Sequence, residues 1–252
     1  MLHPRTEADI VMKKVLIALV ILLAPAVAGA QIRQVSTSSA SDAPSTLNLS
    51  LGYFSLKGLD SRVDDDVLFN NLQNERPLLF EVKDFNSATF GAEYLLGIGS
   101  NFEAGVGVGF SQRTVPSVYA TLTHANGAEI EQDLKLRQIP VSFTGRFLFL
   151  PRGSSVEPYV GAGLVAIRYR YSEVGEFVDE NGDIFPDRFV ADGVATGPTV
   201  FGGIRGVVNN YTVGGELRWQ KAEAKGLFDE GFLGDRLDLG GVTVNFTVGF
   251  RF

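Results

Sequence analysis

The chain has 252 residues, carries 22 Lys and Arg against 29 Asp and Glu for a net charge of −7, and contains 29 glycines, 19 phenylalanines, 7 tyrosines and no cysteine. An acidic chain is poorly suited to nucleic acid, whose phosphates call for a basic surface. Without cysteine there is no disulfide framework, no thiolate chemistry and no Cys-ligated metal site, so a fold of this size must be held by other means.

In chain order, the first element is a targeting segment. Met12-Lys13-Lys14 is basic, Val15 to Ala24 is apolar, and Ala28-Gly29-Ala30 supplies the small residues a signal peptidase reads. Residues 1–30 are therefore expected to be a secretory signal peptide that is removed. Its apolar run is too short for a transmembrane helix, which needs about 20 apolar residues. Residues 31–46, rich in Ser and Thr, form a flexible periplasmic lead-in. Residues 47–252 are the folded domain.

That domain contains no apolar run long enough for a helical span, and its segments alternate with period two. Leu47, Leu49, Leu51 and Tyr53 share one face. Phe90, Ala92, Tyr94, Leu96 and Ile98 alternate with Gly91, Glu93, Leu95 and Gly97; Phe102, Ala104, Val106, Val108 and Phe110 alternate with Glu103 and three glycines. Ile139, Val141, Phe143, Gly145, Phe147 and Phe149 oppose a face with Ser142, Thr144 and Arg146. Tyr159, Gly161, Gly163, Val165, Ile167, Tyr169 and Tyr171 are assigned to the apolar face, which places Arg168 and Arg170 opposite. Residues 196–205 are Gly-rich and do not declare a facing. Tyr211, Val213, Gly215, Leu217 and Trp219 oppose Glu216 and Arg218; Val242, Val244, Phe246, Val248, Phe250 and Phe252 oppose Thr243, Asn245, Thr247, Gly249 and Arg251.

Apolar-out, polar-in strands are what a lipid-facing closed barrel requires, and only helices or closed barrels satisfy every backbone group in lipid. The connections alternate: short at 99–101, 151–157 and 206–210, long at 57–85, 116–133, 173–194 and 222–238. Short periplasmic turns and long outer loops fit the same architecture. Phe102, Phe149, Tyr159, Tyr211 and Phe252 sit beside short turns, and Phe110, Tyr169, Tyr171 and Trp219 lie eight to twelve residues further up. At about 3.3 Å per residue and a tilt of about 40°, eight residues climb roughly 20 Å, close to the height of the apolar band between two aromatic girdles. The expected fold is all-β: an antiparallel up-and-down transmembrane β-barrel of eight strands.

The strand with Ile139-Pro140-Val141-Ser142-Phe143, the start Pro158-Tyr159-Val160-Gly161-Ala162-Gly163 and the terminal Val248-Gly249-Phe250-Arg251-Phe252 resemble small bacterial outer-membrane β-barrels of the OmpA and OmpX type. The resemblance implies localisation in the outer membrane. Its partners would be the outer-membrane lipid and lipopolysaccharide around the wall, the barrel-assembly machinery, and an extracellular ligand of the loops. Phe246, Val248, Phe250 and Phe252 would be the assembly signal.

Glu93, Glu103 and Glu216 are expected in the lumen against Arg146, Arg168, Arg170, Arg218 and Arg251. An eight-stranded barrel is only wide enough for side chains to fill, so these charges must pair. A salt-bridged structural or surface-interaction barrel is the leading reading. A narrow channel for small solutes or ions, with the arginine surplus favouring anions, is the alternative. An outer-membrane lipid-modifying enzyme is the third: His124 is the one histidine after the signal segment, but no serine stands two residues on. No catalytic, cofactor-binding or metal-binding set is assigned. In Asp179-Glu180-Asn181-Gly182-Asp183 the glycine is misplaced for a calcium loop and an Asn-Gly turn is expected, while Asp64-Asp65-Asp66 is expected to be a solvated run.

Overall fold

The computed structural model describes residues 45–252. The expected signal peptide 1–30 and all but the end of the 31–46 lead-in lie outside them; Thr46 already belongs to the first strand.

Alternating sequence becomes strand almost throughout. The strands are β1 (Thr46–Leu56), β2 (Ser87–Ile98), β3 (Phe102–Thr123), β4 (Glu129–Leu148), β5 (Val156–Val178), β6 (Ile184–Val208), β7 (Tyr211–Gln220), β8 (Glu223–Lys225), β9 (Arg236–Asp238) and β10 (Gly241–Arg251). One short helix, α1 (Val67–Gln73), follows β1. Eight strands close a barrel in the order β1-β10-β7-β6-β5-β4-β3-β2, and β8 and β9 form a separate ribbon. Every neighbouring pair in the ring is antiparallel, and β1 pairs with both β2 and β10. No edge is left unpaired, so the backbone polar groups of the wall are satisfied within the ring.

Short turns sit at one end. Asn209-Asn210 joins β6 to β7, with Asn209 at φ 54°. A two-residue hairpin needs positive φ, and Asn tolerates it. At the other end the structure departs from expectation. The segments 116–133 and 173–194 are not loops. β3 and β4 continue to a tip at 124–128, and β5 and β6 to a tip at 179–183. Inward-facing Ile130, Leu134 and Leu136 extend the alternation past the membrane-facing part of β4, and Leu134 and Leu136 join the apolar cluster at the barrel mouth.

The outer wall is apolar. Leu49, Phe90, Phe102, Phe143, Leu164, Ile204, Leu217 and Val244, one from each barrel strand, are all exposed. Near the short turns Phe102, Phe147 and Phe149 touch edge-on or tilted, while Phe250 meets Tyr211 tilted and stacks with Phe252. Exposed apolar side chains on every strand of a closed ring mark a wall built for lipid.

The facing of β5 is the reverse of the expected one. Tyr159, Val165, Ile167, Tyr169 and Tyr171 point inward and are buried, while Val160 and Leu164 face out. Both faces of β5 carry apolar residues, so alternation alone does not choose between them. The glycines do. A Cβ at Gly161 would meet the buried Phe201 ring at 2.3 Å, so this face lies against the filled interior, and one at Gly163 would meet the backbone O of Phe143 in the neighbouring strand at 2.0 Å. Tyr159, Tyr169 and Tyr171 therefore leave the girdles, and Arg168 and Arg170 lie on the outer wall rather than in the lumen.

Candidate functional site: a sealed barrel lumen

The lumen carries two tiers of charge. In the first, Arg146 Nη2 lies 2.7 Å from Glu93 Oε2 and 3.4 Å from Glu216 Oε2. Arg218 Nε donates to Glu216 Oε1 at 2.9 Å, and its Nη2 lies 3.6 Å from Glu93 Oε1. Thr144 Oγ1 and Tyr159 OH donate to these two glutamates. The Arg146 guanidinium also lies over the Tyr159 ring at 4.3 Å, and Arg218 over Phe201 at 4.6 Å. Three strands, β2, β4 and β7, supply the charges of this tier, and each carboxylate meets both arginines.

The second tier lies toward the short turns. Arg205 bridges Glu103 at 2.6 Å and Glu157 at 2.7 Å. Arg251 reaches the same Glu157 Oε2 at 2.5 Å. Arg152, from the β4–β5 turn, adds a 3.4 Å contact to Glu103 and donates to Phe102 O. Gly153 N donates to Glu157 Oε1 at 2.7 Å. These side chains are below a tenth exposed, and inside the wall the three arginines are paired with the two shared glutamates.

Of the expected lumen charges, Glu93, Glu103, Arg146, Glu216, Arg218 and Arg251 are brought together; Arg168 and Arg170 are not. Sequence reading missed Glu157, Arg205 and Arg152. Arg205 lay in the Gly-rich stretch of undeclared facing. Glu157 and Arg152 lay in an expected turn, although Glu157, two residues before Tyr159, shares its face once β5 is oriented correctly.

Above the charges the lumen is closed by an apolar cap. The connection 57–86 contributes Val67, Leu68, Leu78, Val82 and Phe85, and 221–240 contributes Leu227, Phe232, Leu237 and Leu239. They pack on inward-facing Phe54, Leu134, Ile167 and Tyr171 of the barrel. Asp66 fixes the cap. It is buried, not solvated as the run Asp64-Asp65-Asp66 suggested. Its Oδ1 accepts from Leu68 N and Phe69 N at the start of α1, and it pairs with Arg62 at 2.7 Å. Its Oδ2 accepts from Asp238 N at 2.8 Å, which ties the first connection to the last. Glu173 is the second polar anchor: Asn71 of α1 donates to its Oε1 at 2.6 Å and Tyr171 OH at 2.8 Å. Burial pushes the Glu173 carboxyl above the usual carboxylate range and outweighs both donors, and burial likewise raises the Tyr171 phenol.

His124 stands at the β3–β4 tip and meets Glu176 of β5 at 2.8 Å. The segment 179–183 forms the expected turn: Asp179 Oδ1 accepts from Asn181 N and Asp183 N, with Gly182 at φ 89°. Phe246, Val248, Phe250 and Phe252 face outward on or beside β10.

A closed ring, an apolar wall and buried internal charges together define a transmembrane β-barrel. No protein-family model and no curated protein sequence matches the chain. Among solved structures, Neisserial surface protein A is similar at 12% identity and TM-score 0.45, covering 84% of this chain and 98% of that one. The attachment invasion locus protein Ail of Yersinia pestis is similar at 12% identity and TM-score 0.44, covering 83% and 99%. The N-terminal β-barrel domain of Pseudomonas aeruginosa OprF is similar at 13% identity and TM-score 0.37, covering 82% and 97%. The closure and wall of this barrel, rather than those distant likenesses, carry the fold.

Proposed function

We propose that the protein is an integral outer-membrane barrel with a closed lumen, a structural and surface-interaction protein rather than a channel or an enzyme. The observation that supports this reading is the apolar cap: segments 57–86 and 221–240 fill the barrel mouth with a buried apolar cluster above the paired charges. A solute path would need to cross both layers. The same closure makes a rigid platform for the projecting hairpins, whose tips at 124–128 and 179–183 are the parts presented furthest from the wall. Outer-leaflet lipid and lipopolysaccharide surround the wall, the barrel-assembly machinery engages β10 through outward Phe246, Val248, Phe250 and Phe252, and an extracellular ligand meets the hairpins.

The chain has no cysteine, so introduced thiols report cleanly. Glu180→Cys at a hairpin tip is expected to react with a membrane-impermeant maleimide on intact cells. Ser155→Cys in a short turn should react only after the outer membrane is permeabilised. The opposite pattern, or equal labelling of both, contradicts the orientation.

A further inference from the structure

We infer that the outer wall carries a binding site for the phosphate of an outer-leaflet lipid headgroup, held between Arg137 and Arg170 with Lys135 beside them. The inference rests on the outer-membrane reading above.

The outward face of β4 is ordered by height. From the short-turn end it reads Phe147, Gly145, Phe143, Val141 and Ile139, then Arg137 and Lys135, then Asp133, Glu131 and Glu129. The apolar belt thus gives way to a cationic step and then to an acidic one. On β5, Val160, Ala162, Leu164 and Ala166 give way to Arg168 and Arg170. Arg137 lies ten residues above Phe147, which at about 3.3 Å per residue and a tilt of about 40° is a rise of roughly 25 Å, the height of the lipid-facing band. The cations therefore stand where headgroup phosphates begin.

Register supplies the second argument. Arg137 and Arg170 are direct partners across β4 and β5, with Gln112 opposite Arg137 on β3; Lys135 is opposite Ser172 one step up. Like charges directly opposite on one face of a sheet are destabilising. Among the described residues the lumen arginines Arg146, Arg152, Arg205, Arg218 and Arg251 all enter ion pairs. Among the described residues Arg137, Arg170 and Lys135 enter no ion pair, whereas Arg168, two residues below Arg170, has an interaction of its own. Asp192 is the register partner of Arg170 on β6 and Asp133 stands two residues above Lys135, yet neither forms an ion pair with Lys135, Arg137 or Arg170. Gln112, Lys135, Arg137, Arg170, Ser172 and Arg188 line one concavity on this wall. Three guanidinium forks, an ammonium, an amide and a hydroxyl around a hollow suit a phosphate, whose oxygens accept bidentate arginine bonds. The acyl chains of the same lipid would lie down the belt over Ile139, Val141 and Leu164. A basic hollow at the edge of a lipid-facing surface is a recurring headgroup site.

The test uses the full chain, refolded in dodecyl maltoside, which carries no phosphate, and shown to be folded by different SDS-gel mobility cold and boiled. Native mass spectrometry counts retained lipid A, the bisphosphorylated glucosamine lipid, against its dephosphorylated form. Wild type should retain the phosphorylated lipid, and Arg137→Gln with Arg170→Gln should weaken retention on the order of tenfold or more, since each variant loses a charge-assisted hydrogen-bond donor set. Arg170→Gln alone should fall between, and Lys225→Gln, a control in β8, should match wild type. Excess inorganic phosphate should not displace the lipid. Equal retention by wild type and the double variant, equal retention of the dephosphorylated lipid, or displacement by inorganic phosphate overturns the site while leaving the barrel intact. A chain that runs identically cold and boiled overturns the membrane reading itself.

Discussion

Glu157 is the residue on which the lower tier depends, because its Oε2 serves both Arg205 and Arg251. Replacing it with Gln removes the one charge that both arginines share while leaving them buried. Breaking a buried pair from one side costs about 3–5 kcal/mol. Urea titration of the bilayer-refolded barrel should show Glu157→Gln less stable by about that much, with exposed Glu180→Gln within about 0.5 kcal/mol of wild type; equal midpoints for the two would remove Glu157 from the structural account. Glu173 makes a different prediction. Its folded carboxyl titrates above its unfolded value of about 4.3, so the folded state retains a proton that the unfolded state has lost. Cap stability from this group is full below that pH and declines as pH rises through the raised folded value. Glu173→Gln keeps an oxygen to accept from Asn71 and Tyr171 and cannot ionise, so the decline should flatten in that variant. A pH profile unchanged by the substitution would mean that Glu173 is not the titrating group.

At the scale of elements, the cap and the barrel are held by different forces. The ring is held by its ladder, whereas α1, β8 and β9 are held by apolar burial and by Asp66. Asp66→Ala removes an N-cap, worth about 1 kcal/mol, and leaves Arg62, whose side chain is fully buried, without its carboxylate, for a combined loss of about 3 kcal/mol or more. Amide hydrogen exchange should therefore quicken in 67–73 and 223–238 while β1 to β7 and β10 keep their protection. Unchanged protection of α1 would show that apolar packing alone fixes the cap. Most strands were legible from their sequence, because β1, β2, β3, β4, β7 and β10 each have one apolar face and one polar or small face. β5 was legible as a strand but not in its facing: aromatic residues were assigned to lipid, and they fill the interior instead. The clue lay in Gly161 and Gly163, which signal close approach by Phe201 and by the neighbouring backbone rather than an open lipid face. That single reversal carried Arg168 and Arg170 to the wrong side and hid Glu157.

For the whole molecule, the barrel class followed from alternation, the lack of a long apolar run and the asymmetry of the connections, all local properties of sequence. The cap did not follow, because it is made by two connections separated by most of the chain. Nothing near Val67-Leu68 announces that Leu237 and Leu239 will meet them. The expected arginine surplus that suggested an anion path shrinks to one, since Arg168 and Arg170 face outward and the five lumen arginines, Arg146, Arg152, Arg205, Arg218 and Arg251, are met by Glu93, Glu103, Glu157 and Glu216. The lumen is shut twice, by paired charges and by a buried apolar layer. Single-channel recording of the refolded protein in a planar bilayer, with insertion verified by heat-dependent gel mobility, should give a silent bilayer for wild type. Stable, discrete openings of the wild-type barrel that change size in Glu216→Ala would show a conducting path through the upper tier and contradict this closure.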